Sequence, residues 1–160
     1  MSGTSLDGVD LCYARYYQDE SQDWHYRILA TACYNYPENW VDQLAKAHEW
    51  GENQVEKLNI TYTKLIGYYY INKFIEEFNL KRIHFIASHG HTIFHQPENN
   101  YTLQIGNLPF LADIVGYPVI CDFRVQDVKK GGQGAPLVPI GDKLLFAEYD
   151  TCVNIGGFVN

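Results

Sequence analysis

Basic charge is scarce in this chain of 160 residues: 12 Lys and Arg stand against 19 Asp and Glu, a net charge of −7. No basic stripe occurs, so a nucleic-acid backbone, which is bound through clustered Lys and Arg, is not an expected partner. No apolar run approaches the ~18 residues that a membrane helix needs, so no membrane partner is expected either. The opening Met1-Ser2-Gly3-Thr4-Ser5 is polar and lacks the apolar centre of a secretory signal, which points to a cytoplasmic protein. The glycosylation sequons Asn59-Ile60-Thr61 and Asn100-Tyr101-Thr102 are therefore read as chance matches. The four cysteines, Cys12, Cys33, Cys121 and Cys152, form no Cys-x-x-Cys pair, which excludes zinc-ribbon and thioredoxin-type motifs. Each lies in an apolar, strand-like run and is expected as a buried thiol in a reducing compartment. Internal repeats and low-complexity tracts are also missing.

What is present fits one ordinary domain with a sizeable core: 46% apolar and 15% aromatic residues, with 13 tyrosines. The charge is uneven. Residues 1–80 carry 6 basic and 12 acidic side chains, whereas residues 81–160 carry 6 and 7. The acidic excess is expected on solvated helix faces. The near-neutral second half, which holds most of the glycine, suits a small-molecule site.

Alternation predicts a half-buried strand over 9–17 and an antiparallel partner over 24–36, ended by Pro37. Asn39 reads as the N-cap of a short helix to His48, and Asn53, with Glu56, as the cap of a long helix to about Asn79. Val55, Leu58, Tyr62, Leu65, Ile66, Tyr69, Phe74 and Phe78 form its apolar stripe, a packing face. Strands follow over 84–88, 92–95 and 101–105, then a helix over 108–115 ended by Gly116. A buried strand over 118–123, a polar and glycine-rich loop over 124–135, a helix over 138–148 and a strand and turn over 151–159 complete the pattern. Strands first and then strand–helix alternation predict a mixed α/β fold. The chain starts in a turn-rich segment and stops just after Asn154-Ile155-Gly156-Gly157, so it is expected to be part of a longer protein.

Four segments carry candidate chemistry. In Ser2-Gly3-Thr4-Ser5-Leu6-Asp7-Gly8-Val9-Asp10, two glycines and two hydroxyls precede a strand. Such a loop can hold phosphate oxygens on backbone N–H groups and hydroxyls, with Asp7 reaching Mg²⁺ directly or through water. It also reads as a plain hairpin turn. In Ser88-His89-Gly90-His91-Thr92, an extended backbone would put His89 and His91 on one face, with His95 as a third metal ligand. A sugar-contacting strand end is the other reading. Asp122 and Arg124 follow an apolar strand and can hydrogen-bond a hydroxyl-rich or anionic substrate, or form a surface ion pair. Finally, Lys129 through Pro139 packs Gly131, Gly132, Gln133 and Gly134 together. It is neither a Walker A loop nor a dinucleotide fingerprint, but either a loop open to a ligand or a plain flexible one.

Taken in order, Met1–Asp10, Ser88–Thr92, Thr102-Leu103-Gln104-Ile105-Gly106, Asp122-Phe123-Arg124 with Asp127, Gly131 through Pro139 and Asn154-Ile155-Gly156-Gly157 resemble the anhydro-N-acetylmuramic acid kinase family along the whole chain. The resemblance implies the first lobe of a two-lobed sugar kinase of the actin, hexokinase and Hsp70 superfamily, a ribonuclease-H-like mixed sheet with flanking helices. Residues 1–150 would be that lobe and 151–160 the start of the second. It implies an enzyme that opens the 1,6-anhydro ring of anhydro-N-acetylmuramic acid with water and phosphorylates O6, using ATP and Mg²⁺, in cell-wall recycling. Gly3, Thr4, Ser5, Leu6, Asp7, Gly8, Val9 and Asp10 would form the ATP phosphate loop, with Asp7 toward Mg²⁺. His89, Gly90, Asp122, Arg124, Gln133 and Gly134 would face the sugar. A homodimer stays open.

Two departures stand out. His91 occupies the place of a usual family Gln, and the family's catalytic carboxylate, in an Asp-Thr-Gly-Pro-Gly-Asn motif, is expected beyond Asn160. The 160 residues alone are therefore expected to be inactive. The competing readings are a metal-dependent hydrolase on His89, His91 and His95, and a non-catalytic sugar- or nucleotide-binding module.

Overall fold

The computed structural model describes residues 1–3 and 5–153. Chain order is β1 (Val9–Gln18), β2 (Trp24–Tyr34), α1 (Glu38–Lys46), α2 (Glu52–Lys64), a π-helical segment (Leu65–Ile71), α3 (Asn72–Glu77), β3 (Ile86–Ala87), β4 (His91–Gln96), β5 (Tyr101–Ile105), α4 (Phe110–Val115), β6 (Val119–Ile120), α5 (Val125–Lys129) and α6 (Pro139–Leu145). The fold is mixed α/β. Its described strands pair as three two-stranded ladders: β1 with β2 and β4 with β5 antiparallel, β3 with β6 parallel. No described helix is long and apolar enough to cross a membrane.

The rod formed by α2, the π-helical segment and α3 carries the core. Val55, Leu58, Tyr62, Ile66, Tyr70 and Ile71 are buried along it in one cluster with Ile93 and Ile105 of the β4–β5 ladder and Leu111 and Val115 of α4, and Phe74 is buried nearer its end. The π-helical turns correct the expected stripe. They hold more than 3.6 residues per turn, so the inward face advances. Tyr70 takes the buried place expected for Tyr69, which is 52% exposed, and Phe78 also faces out. Gly67 sits at the crossing with α4, where a Cβ would fall 2.6 Å from Ile114 Cγ2. No side chain fits at that crossing.

Helix starts also differ from expectation. Pro37 precedes α1, with Glu38 in its first turn, rather than an Asn39 cap. Gly51 caps α2, its N–H donating to Gln54 Oε1 at 3.3 Å, two residues before the expected Asn53. Gly51 adopts the extended cap backbone readily and its own N–H finds the Gln54 amide, so the helix starts earlier. Residues 125–129, expected as loop, form α5, because Val128 is buried and anchors the turn. β2 stops at Tyr34, before Pro37.

The cysteines are not a buried set: Cys12, Cys33 and Cys152 are exposed and Cys121 is half-buried. Cys12 and Cys33 lie on the β1–β2 ribbon, which pairs with no third named strand among the described residues. Ile120 of β6, expected inside, is 48% exposed for the same reason, since β6 pairs with no named strand but β3 among the described residues. The expected strand and turn over 151–159 falls largely outside the described residues, and its described part, 151–153, is irregular.

Candidate functional site

The N-terminal segment is fastened as a short extra strand. Ser2 bridges Val9 antiparallel, Asp10 N–H donates to the Met1 carbonyl at 2.8 Å, and the Met1 amino group donates to the Asp10 carbonyl. Between these fixed ends runs a tight loop. Leu6 N–H donates to the Gly3 carbonyl at 3.2 Å, and Ser5 Oγ–H donates to Asp7 Oδ1 at 2.8 Å. Asp7 is exposed, as are Gly3 and Ser5, whereas Gly8 is buried against the β2 backbone. Thr4, expected in this loop, lies outside the described residues.

The base of the loop is tied inward through side chains. Ser2 Oγ lies 2.7 Å from His91 Nδ1 and accepts from Tyr36 Oη–H at 2.5 Å, and the Tyr36 and Tyr62 hydroxyls are 2.5 Å apart. One proton assignment satisfies every partner in this chain. Tyr62 donates to Tyr36, Tyr36 to Ser2, and Ser2 to His91 Nδ1, which leaves the proton of the neutral imidazole on Nε2. Burial, with the charge of nearby His89 as the lesser cause, lowers the His91 pKa to about 4. Burial likewise raises Tyr62 well above the ordinary tyrosine value.

The second cluster forms at the carboxyl ends of the parallel pair β3 and β6, where α/β sheets generally bind ligands. Arg124 Nε–H donates to His89 Nε2 at 3.0 Å, and Arg124 Nη1–H donates to the Gly134 carbonyl at 2.6 Å. Asp127 Oδ2 accepts the Gly134 N–H at 2.7 Å, which folds the glycine loop back onto α5. Asn107 completes the frame: its Nδ2–H donates to the His89 carbonyl at 3.2 Å and its Oδ1 accepts from Ser88 Oγ–H at 2.8 Å. Burial, ahead of the positive charge of Arg124, lowers the His89 pKa and keeps the ring neutral as an acceptor. Arg124 is half-buried, and no carboxylate lies within ion-pair distance of it among the described residues. Its remaining N–H groups have no partner among the described residues and can take an anionic or hydroxyl oxygen.

The expected sugar-side residues are thus partly brought together. His89, Gly90, Arg124 and Gly134 share one frame. Gln133 is exposed beside it, and Asp122 is exposed with left-handed backbone (φ 57°), its carbonyl accepting the Val125 N–H. Asp122 and Arg124 form no ion pair. Sequence reasoning missed Tyr36, Tyr62 and Asn107. Asn107 directly follows the Thr102–Gly106 string, a signal that could have found it. The tyrosines are remote in sequence and carried no signal of their own.

The metal reading fails on geometry. Gly90 has φ 73°, so the segment is not extended and the two rings diverge, His89 toward Arg124 and His91 toward Ser2. His95 bonds Thr102 Oγ1 at 3.1 Å instead. Among the described residues no group of three or more His, Cys, Asp or Glu side chains is placed to hold a metal ion.

Comparison with known proteins settles the relationship. The family model described as anhydro-N-acetylmuramic acid kinase matches residues 1–160. The chain belongs to the anhydro-N-acetylmuramic acid kinase family. Curated relatives of that name are 38% identical in Acinetobacter baylyi, 34% in Thiobacillus denitrificans and 36% in Nitrosomonas europaea. Each alignment covers 100% of this chain but only 43%, 43% and 45% of the relative, so the chain spans less than half the length of these kinases.

Proposed function

We propose that this chain is the N-terminal lobe of a kinase that opens 1,6-anhydro-N-acetylmuramic acid with water and phosphorylates O6 from ATP, in cytoplasmic cell-wall recycling. On this reading residues 1–150 form a ribonuclease-H-like first lobe, and 151–160 begin a second. The observation that carries it is the frame around Arg124, in a chain of this family: a half-buried guanidinium with no carboxylate partner among the described residues, held by His89 and the Gly134 carbonyl at the strand ends. An acidic, hydroxyl-rich sugar supplies the oxygens that such an edge lacks.

The loop of residues 3–8 then serves the nucleotide. Its backbone N–H groups and the Ser5 hydroxyl face the phosphates, and its fixed ends keep those donors preorganised. Asp7 suits Mg²⁺: one exposed carboxylate, with Oδ1 engaged by Ser5 and Oδ2 without a hydrogen bond among the described residues, matches a cation that prefers one or two carboxylates plus phosphate oxygens. Bound there, Mg²⁺ would neutralise phosphate charge. Arg124, His89 and Gly134 orient the sugar. The general base that activates water is expected from the family's downstream Asp motif, so the 160 residues alone turn nothing over.

The test is an assay of the full-length protein with ATP, Mg²⁺ and the anhydro-sugar. Sugar-dependent ADP release, with a product heavier by one water and one phosphoryl group, is expected, and chelation should abolish it. ADP release that ignores the sugar, or turnover by the isolated 160 residues, would overturn the reading.

A further inference from the structure

We infer that the buried Tyr62–Tyr36–Ser2–His91 chain is a positioning device: it holds Gly3 and residues 5–8 of the N-terminal loop in their nucleotide-binding shape. The inference rests on the nucleotide role proposed for that loop. Four observations carry it. All four residues are 8% exposed or less, so none is a surface hydroxyl with water as an alternative partner. They come from four separate places: the N-terminal segment, the residues after β2, α2 and the first residue of β4. The links are 2.5–2.7 Å long. And Ser2 is the hinge post of the loop, through its bridge to Val9 on the other side. A loop clamped at its base by β1 alone could still tilt. The Ser2 side chain, bonded at once to Tyr36 and His91, ties the near end of the loop to the core.

His91 is suited to this task by its tautomer. Its Nδ1 accepts from Ser2, and its neutral state keeps the direction of the whole chain fixed. The groups that bear on it are His89, which opposes its protonation when itself protonated, Tyr62, whose ring packs edge-on at 6.1 Å between centroids, and His48 of the segment after α1, which with His91 lines a groove of about 220 Å³.

The experiment is calorimetric titration of the full-length protein with a non-hydrolysable ATP analogue and, separately, with the anhydro-sugar. The variants are Tyr36→Phe, which keeps the ring, and His91→Leu and His91→Asn; the Asn amide oxygen can replace Nδ1 as acceptor. Tyr36→Phe and His91→Leu are expected to weaken the ATP analogue about tenfold, the loss of roughly one buried hydrogen bond. Sugar affinity should stay within about twofold, and His91→Asn should recover most of the ATP affinity. Equal weakening of both ligands, or unchanged ATP affinity in either folded variant, overturns the inference while leaving the kinase reading intact. Failure of the unaltered protein to bind the ATP analogue overturns both.

Discussion

Gly90 joins the two clusters, and replacing it by alanine measures what that joint is worth. The backbone at Gly90 has φ 73°, where a non-glycine residue costs about 1–2 kcal/mol. A Cβ there would fall 2.4 Å from the Ile105 carbonyl oxygen and 2.7 Å from Asn107 Nδ2. The first is backbone of the neighbouring strand and cannot swing away. The second bonds the His89 carbonyl at 3.2 Å, and moving it forfeits a hydrogen bond worth about 1 kcal/mol. Together these give a destabilisation of about 2–4 kcal/mol, or roughly 5–15 °C in Tm for a domain of this size. Gly116 supplies the control. Its φ is 72°, but nothing lies within 4 Å of its Cβ position. Gly116→Ala therefore carries the backbone cost alone, and both variants share the gain from a less flexible unfolded chain. Thermal unfolding by circular dichroism, with hydrogen exchange on β4 and β5, reads the difference. Gly90→Ala should melt several degrees below Gly116→Ala and lose protection around Ile105. Equal melting temperatures would refute the claim that close approach, rather than backbone angle, fixes glycine at 90.

Two further predictions follow from single groups. His91 is held neutral to about pH 4 in the folded protein, against an ordinary value of 6.5. Above pH 6.5 both states are neutral and stability is full. As pH falls toward 4 only the unfolded chain takes up the proton, so roughly 3 kcal/mol is lost. Urea titrations from pH 7.5 to 4 should show this slope, and His91→Leu should flatten it; an unchanged slope in His91→Leu would place the titration elsewhere. Asp127→Ala removes the carboxylate that accepts the Gly134 N–H at 2.7 Å. It should weaken anhydro-sugar binding about tenfold by calorimetry and spare the ATP analogue, and the reverse order would detach the glycine loop from the sugar.

The local rules behind the predicted elements explain which parts were legible. Hairpin β1–β2, the β4–β5 pair and the long amphipathic rod follow from periods of 2 and 3.6, which are written residue by residue. The π-helical turns are not: they pass α4 in a close crossing at Gly67, a contact between residues 47 apart in sequence at Ile114. Those turns place Tyr70 inward and Tyr69 outward. The cysteines failed for the opposite reason: an apolar strand predicts burial only if something covers it, and cover is a tertiary fact.

The same distinction governs the site. His89, Arg124 and Gly134 were legible as polar or glycine punctuation at strand ends, whereas Tyr36, Tyr62 and Ser2 matter through one another. A hydroxyl chain has no sequence period, since its members need only meet in space. Gly90 shows where the two kinds of information join. Read locally, His-Gly-His suggests two imidazoles on one face; the left-handed turn at the glycine sends one ring to each cluster instead. A shift of this turn must therefore move the Arg124 frame and the base of the 3–8 loop together. If the proposed function holds, sugar and nucleotide binding are expected to be coupled through these three residues. Coupling is reciprocal for binding free energies. On this argument Gly90→Ala should reduce the mutual effect of the two ligands on each other's affinity, in double titrations of the folded variant, by the same factor in both directions. A coupling that survives the substitution would mean that the two clusters communicate by another route.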